Sequence, residues 1–204
     1  MIIVERIKKK ISKKEINFLI KIIKKENKGS IISSLSYKIL KEYLKILVKS
    51  KNFFLFLCKF KDKNIGYLIL CKSPKYLIKD FNKLKYQILI ELIFNFKITT
   101  LLNILISILK IDSIFLAHRN KMIKNNFNLS LLAISKEYQS KGIGEKFLNK
   151  VLKKISYKNQ LKQITVETNN FQTIKFYKKK IGFKFLGKKL RFFKNSTVLY
   201  KKLI

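Results

Sequence analysis

Sulfur has little to hold together in this chain, and proline has little to break. Cys58 and Cys71 are its two cysteines, each inside an apolar run and neither in a CxxC pair, which rules against a disulfide scaffold and a cysteine-built zinc site. Pro74 is the one proline, and tryptophan is absent. No proline-rich linker, internal repeat or low-complexity tail divides the 204 residues, so they read as a single domain, 1–204. Acidic residues are also scarce: 11 Asp plus Glu stand against 47 Lys plus Arg, a net charge of +36. Arginine is nearly missing from that surplus, with only Arg6, Arg119 and Arg191. The favoured types, Lys, Ile, Asn and Phe, all have A/T-rich codons, so much of the charge reads as composition spread over a solvated surface. A GC-rich parent genome would overturn that reading.

Core-forming residues are plentiful. With 48% hydrophobic and 13% aromatic residues the chain has far more to bury than a disordered polycation. Glu5 and Arg6 interrupt the start where an export signal needs an unbroken apolar stretch, and reduced cysteines suit a cytoplasmic location. The most apolar region, Tyr86 to Ile111, is broken by Glu91 and Lys97, and its charge-free part is too short to span a bilayer. It suits burial in the core or in a homodimer contact better than a membrane surface.

Periodicity supplies the elements. Ile2–Ile7 reads as an edge strand, and Ser12 with Glu15 forms a capping box ahead of a helix over about 13–27. Gly29-Ser30 stops it, and Leu35 to Leu47 repeats at helical spacing. Asn52–Phe60 and Ile65–Cys71, separated by Asp62-Lys63-Asn64, form a hairpin. A helical region over about 80–110 and a basic loop through His118 to Asn126 follow. Then come a strand at Leu129–Ile134, a helix at Gly144–Ile155, a strand at Gln163–Glu167, a helix at Asn170–Lys180, and strands from Phe183. Alternating strands and helices after a hairpin predict a mixed α/β sheet rather than a bundle or sandwich.

Glycine is rare enough for its placement to carry information. Two of the six glycines fall in Gln139-Ser140-Lys141-Gly142-Ile143-Gly144, directly between a strand and an amphipathic helix. Glycine lets the backbone turn tightly and approach a ligand, and the free N–H groups of the next helix favour an anion, so the hexapeptide predicts a phosphate site. The Walker pattern and the full GxGxxG fingerprint are both missing, which disfavours ATP and NAD.

This segment resembles the strand-loop-helix motif of the GNAT superfamily of acyl-CoA-dependent N-acyltransferases, Q/R-x-x-G-x-G/A after a hydrophobic strand. A second stretch is similar to that family's other motif: Asn170 lies seven residues before Tyr177, and Gly182-Phe183 follows. Together they cover 129–186, within a motif-bearing core of about 127–187. The resemblance implies an α/β (α+β) fold with a mixed, splayed sheet flanked by helices. It implies acetyl-CoA as co-substrate, its pantetheine arm paired with the backbone of Leu132, Ala133 and Ile134. It also implies a pyrophosphate held by the N–H groups of Gln139, Ser140, Lys141, Gly142, Ile143 and Gly144, a cofactor contact from Asn170, and Tyr177 as the acid that protonates the departing thiolate. No metal is implied.

Two departures stand out. The family commonly places five residues from the Tyr to the Phe of Gly-Phe, whereas Tyr177 to Phe183 is six. Several members carry a glutamate base at the position of Asn128, which cannot act as one. Glu167, at the end of the next strand, and His118, the one histidine, are the substitute candidates, and a water relay is the alternative. The expected reaction is direct acetyl transfer to a primary amine of a small molecule, such as an amino sugar, or of a peptide N-terminus. The competing expectation is a basic RNA- or ribosome-binding protein on the same scaffold, although no recognisable nucleic-acid module is present.

Overall fold

The computed structural model describes residues 1–28, 30–72, 84–94, 126–159, 162–191 and 194–203. Pro74, His118, Arg119 and most of the helical region expected over 80–110 lie outside the described residues. Chain order begins with strand β1 (Ile2–Ile7), then helices α1 (Lys13–Glu26), α2 (Ile31–Ser34) and α3 (Tyr37–Lys49). The hairpin follows as β2 (Phe53–Phe60) and β3 (Lys63–Cys71), then α4 (Lys85–Phe94) and β4 (Asn126–Ile134). The last part is α5 (Ile143–Asn159), β5 (Gln163–Thr168), α6 (Phe171–Phe176), a π turn over Tyr177–Ile181, β6 (Lys184–Arg191) and β7 (Lys194–Lys202).

Local chemistry explains the helix starts. Ser12 Oγ accepts the Glu15 N–H at 3.2 Å, and Glu15 answers by accepting the Ser12 N–H at 2.8 Å, the reciprocal bonds of a capping box. Ser30 and Ser36 cap α2 and α3 with one bond each, their hydroxyl oxygens accepting the N–H groups of Ser33 and Ile39. From α1, Ile16, Leu19, Ile20 and Ile23 are buried, and Leu40, Leu44 and Leu47 of α3 lie beside them in one cluster.

The seven strands form one sheet in the order β1-β2-β3-β4-β5-β7-β6. β4 and β5 run parallel, and every other neighbouring pair is antiparallel. Each face has its own core. Residues of α1 and α3 pack with Leu55, Leu57, Tyr67 and Ile69 on one side. On the other, Phe147, Leu148, Val151 and Leu152 of α5 pack with Phe56, Leu68, Ile164, Val166 and Tyr177. The mixed α/β expectation therefore holds, and helices cover both faces of the sheet.

Candidate functional site

The middle of the sheet opens where β4 leaves β5. Their register pairs Asn126 with Gln163 and ends with Leu129 opposite Val166, yet β4 continues to Ile134 and β5 to Thr168. Over that last stretch β4 keeps only its β3 neighbour. The split coincides with a β-bulge: Ile69 pairs with Leu131 and Leu70 with Leu129, so Ser130 has no opposite residue on β3. The extra residue reverses the strand's alternation. Phe127 and Leu129 face the α5 side before it, whereas after it Leu132 and Ile134 do so and Leu131 and Ala133 face α1 and α3.

The bulge also decides which backbone groups face the opening. Ser135 N–H donates to Ile65 O at 2.8 Å, so by antiparallel alternation residues 133 and 131 turn their amides toward β3 and residues 132 and 134 turn theirs toward the gap. Of the three strand residues expected to meet pantetheine, Leu132 and Ile134 thus present backbone groups there, and Ala133 is paired within the sheet. The Ile134 carbonyl already has a partner: Gln139 Nε2 donates to it at 2.6 Å.

Beyond the strand, Lys136–Tyr138 makes a single 3₁₀ turn, and the Gln139 N–H closes it on Lys136 O at 3.1 Å. That N–H is therefore not among those facing outward. Ser140 (φ 59°) and Gly142 (φ 70°) both take left-handed conformations, and an added Cβ at Gly142 would meet nothing within 4 Å. Gly142 is thus required by its backbone and not by crowding. A Cβ at Gly144 would make only ordinary contacts, 3.8 Å from Ile134 and Phe176. Gly142 O accepts the Lys146 N–H at 3.1 Å and starts α5, which leaves the N–H groups of Ile143, Gly144 and Glu145 with no acceptor one turn back. Lys141 folds back onto Glu137 O at 2.9 Å.

The second motif lies on the α5 face. Asn170 caps α6, its Oδ1 accepting the Thr173 N–H at 2.9 Å. Tyr177 is 4% exposed, its ring 5.2 Å from Phe176 and 5.3 Å from Phe183, and burial pushes its phenol pKa well above the ordinary value. No described residue bonds its hydroxyl. The additional residue before Gly-Phe is absorbed by the π turn: Gly182, at φ 79°, and Phe183 both donate to Tyr177 O.

On the opposite face, Gln163, Thr165 and Glu167 alternate with the buried Ile164 and Val166. Asn128 Nδ2 donates to Thr165 Oγ1 and Ser130 Oγ to Asn128 Oδ1, at 3.4 and 3.3 Å, a polar group that sequence reading did not assemble. Glu167 is half-buried on that side. Tyr177 and Glu167, the expected acid and base, therefore approach the sheet from its two faces. Cys58 and Cys71 are free and buried, and burial pushes the Cys58 thiol up to about 11 against the pull of Lys150. Among the described residues no cluster of His, Cys, Asp and Glu could hold a metal ion, and no helix is long and apolar enough to cross a membrane.

Comparison with known proteins places this geometry. No curated protein sequence matches the chain. The ribosomal-protein-S18-alanine N-acetyltransferase from Escherichia coli is similar in structure, with a TM-score of 0.58 at 10% identity over 99% of this chain and 94% of that one. A spermidine N-acetyltransferase chimera from Vibrio cholerae gives 0.63 at 11% identity over 98% and 95%, and a GNAT-family acetyltransferase from Streptococcus pneumoniae gives 0.59 at 12% over the whole of both. Identities this low speak for the fold. The family model for the acetyltransferase (GNAT) domain matches residues 113–202, a span holding the bulged strand, the glycine loop and the Asn170–Tyr177 motif, so this part of the chain is a GNAT acetyltransferase domain within a GNAT fold.

Proposed function

We propose that the whole chain, 1–204, is one cytoplasmic N-acetyltransferase unit that moves an acetyl group from acetyl-CoA directly to a primary amine. The observation that carries this reading is the separation of β4 from β5 after Leu129, which leaves Leu132 and Ile134 with amides facing a gap beside the N-terminus of α5. A pantetheine arm has amides that add to such a strand edge, and a pyrophosphate suits the free N–H groups of residues 140–145. Acetyl-CoA supplies the acyl group as a thioester reactive toward amines.

The residues then have separate tasks. Leu132 and Ile134 orient the arm by backbone pairing, and the loop from Ser140 holds the phosphates. An acceptor arrives as an ammonium and must lose a proton before its nitrogen can form the C–N bond; Glu167, directly or through water, takes that proton. When the C–S bond breaks, the Tyr177 hydroxyl donates its proton to the sulfur, and its phenolate is restored by the second proton that the nitrogen sheds as it becomes an amide. Asn170 fixes the start of α6 and, through it, the position of Tyr177. The acceptor is the amine of a small molecule, such as an amino sugar, or of a peptide N-terminus. The fold similarity extends to enzymes named for a ribosomal protein and for spermidine, which leaves both kinds of acceptor in the screen.

Calorimetric titration with acetyl-CoA and CoA tests the proposal, alongside Gly142→Glu, which forces a side chain and a charge into a left-handed position. The expected result is saturable wild-type binding that the variant loses while its circular dichroism is unchanged. A folded wild-type protein that binds neither compound would sink the reading and move RNA binding to the front.

A further inference from the structure

Glu26 stands where its own helix disfavours it. It is the last residue of α1, at the negative end of the helix dipole, directly after Lys24 and Lys25, which suit that end. The chain has few carboxylates to place, and this one also lies against a loop read as an anion site. Neither position is explained by charge, so geometry must account for it. Glu26 Oε1 accepts the backbone N–H of Lys136 at 3.2 Å, and Oε2 accepts Gln139 Nε2 at 3.0 Å. The same Gln139 nitrogen donates to Ile134 O at 2.6 Å. Both carboxylate oxygens and both Gln139 amide hydrogens are thereby used.

We propose that Glu26 is a positioning residue: with Gln139 it clamps the end of β4 and the 3₁₀ turn to α1, and so sets where the phosphate-binding N–H groups begin. The grip falls on Lys136 and Gln139, immediately before the stretch of free N–H groups, and leaves that stretch to the ligand. The clamp is anchored at its other end. Asn27, the next residue, accepts the hydroxyl hydrogen of the buried Tyr67 at 2.5 Å, so the terminus of α1 is pinned to β3 while Glu26 reaches β4 and the loop. The glycine loop can therefore shift only if the end of α1 shifts with it. The consequence for cofactor affinity rests on the acetyl-CoA reading; the clamp itself does not.

Amide hydrogen exchange of the free protein tests the clamp, and titration tests its consequence. Glu26→Ala is expected to speed exchange at Lys136 and in residues 138–142 while the interior of α5 keeps its protection. Its dissociation constant for acetyl-CoA should rise about tenfold, the loss typical of charge-assisted hydrogen bonds, with kcat at saturation nearly unchanged. Gln139→Ala should give the same loss, and the double variant no more than either alone. Glu26→Gln should recover only part, because its one amide oxygen can accept from Lys136 while its NH2 is set against the Gln139 donor. Glu42→Ala, which removes a surface pair with Lys45, is the control expected to leave exchange unaltered. Unchanged exchange in Glu26→Ala overturns the clamp. Faster exchange without any wild-type binding of acetyl-CoA upholds the clamp and overturns the cofactor reading instead.

Discussion

In the proposed mechanism Tyr177 is the phenol that protonates the departing thiolate; a phenol in that role must hold its proton until the bond breaks, and burial of Tyr177 favours the protonated form. Tyr177→Phe keeps the ring between Phe176 and Phe183 and removes only a hydroxyl that no described residue bonds. Turnover should fall by about 10²-fold, the scale of a lost general acid, with acetyl-CoA affinity within about twofold of wild type. Steady-state kinetics with titration checks this, and equal loss in both would make Tyr177 a packing residue. The same variant has a pH signature. Burial raises the phenol pKa of Tyr43, Tyr67 and Tyr177, so above about pH 10 the folded chain binds protons that the unfolded chain has lost. Stability then falls as pH rises, by about 1.4 kcal/mol per pH unit for each group. Urea unfolding between pH 10 and 11.5 should show that slope lessened by one such share in Tyr177→Phe; an identical slope would mean Tyr177 titrates as if exposed. The family resemblance could single out Tyr177 because the motif that carries it, Asn170 to Phe183, is local in sequence. Glu26 was out of reach, since its partners lie more than a hundred residues away and nothing in α1 marks it except an acid at the wrong end.

At the scale of elements, the hairpin, the capped α1, and α5 were legible from alternation and periodicity, because each reports on its own neighbours. The bulge in β4 was not. The run Asn128-Leu-Ser-Leu-Leu-Ala-Ile has apolar residues at both parities, and only pairing with β3 shows that the alternation reverses at Ser130. The extra residue after Tyr177 was legible as a count, but its form, a π turn closed by Gly182, required the fold. Gly66 shows how tightly the end of β4 is held. A Cβ there would lie 2.4 Å from Ile134 Cδ1, which can rotate, and 2.7 Å from Ala133 O, which is backbone and cannot. Gly66→Ala must therefore push β4 outward just where its amides face the gap. The expected cost is about 1–3 kcal/mol of stability, as for other overpacked sites, together with weaker acetyl-CoA binding. Urea unfolding and titration measure the two effects, and a variant neutral in both would show that the strand end relaxes freely.

The charge belongs to the whole molecule. Against a surplus of +36, the ion pairs seen between described residues, Glu42 with Lys45 and Glu5 with Lys59, are both partly exposed and worth little. Stability rests on the two apolar cores, while the lysines repel one another. With 47 basic residues against 11 acidic ones, salt screens more repulsion than attraction, and the melting temperature should rise as ionic strength increases. Acetyl-CoA carries several negative phosphate charges and should feel the opposite effect: its kcat/KM should fall steeply between 50 and 500 mM salt while kcat holds, because screening removes a long-range attraction to a positive molecule. A cationic amine acceptor should show kcat/KM rising over the same range. Rates that ignore salt for both would mean that the gap beside β4 is insulated from the surface charge, and that the lysines are a solvated coat without part in the reaction. Tight RNA binding that weakens with a steep logarithmic salt slope, in a protein indifferent to acetyl-CoA, would instead assign the charge to counterion release on nucleic acid.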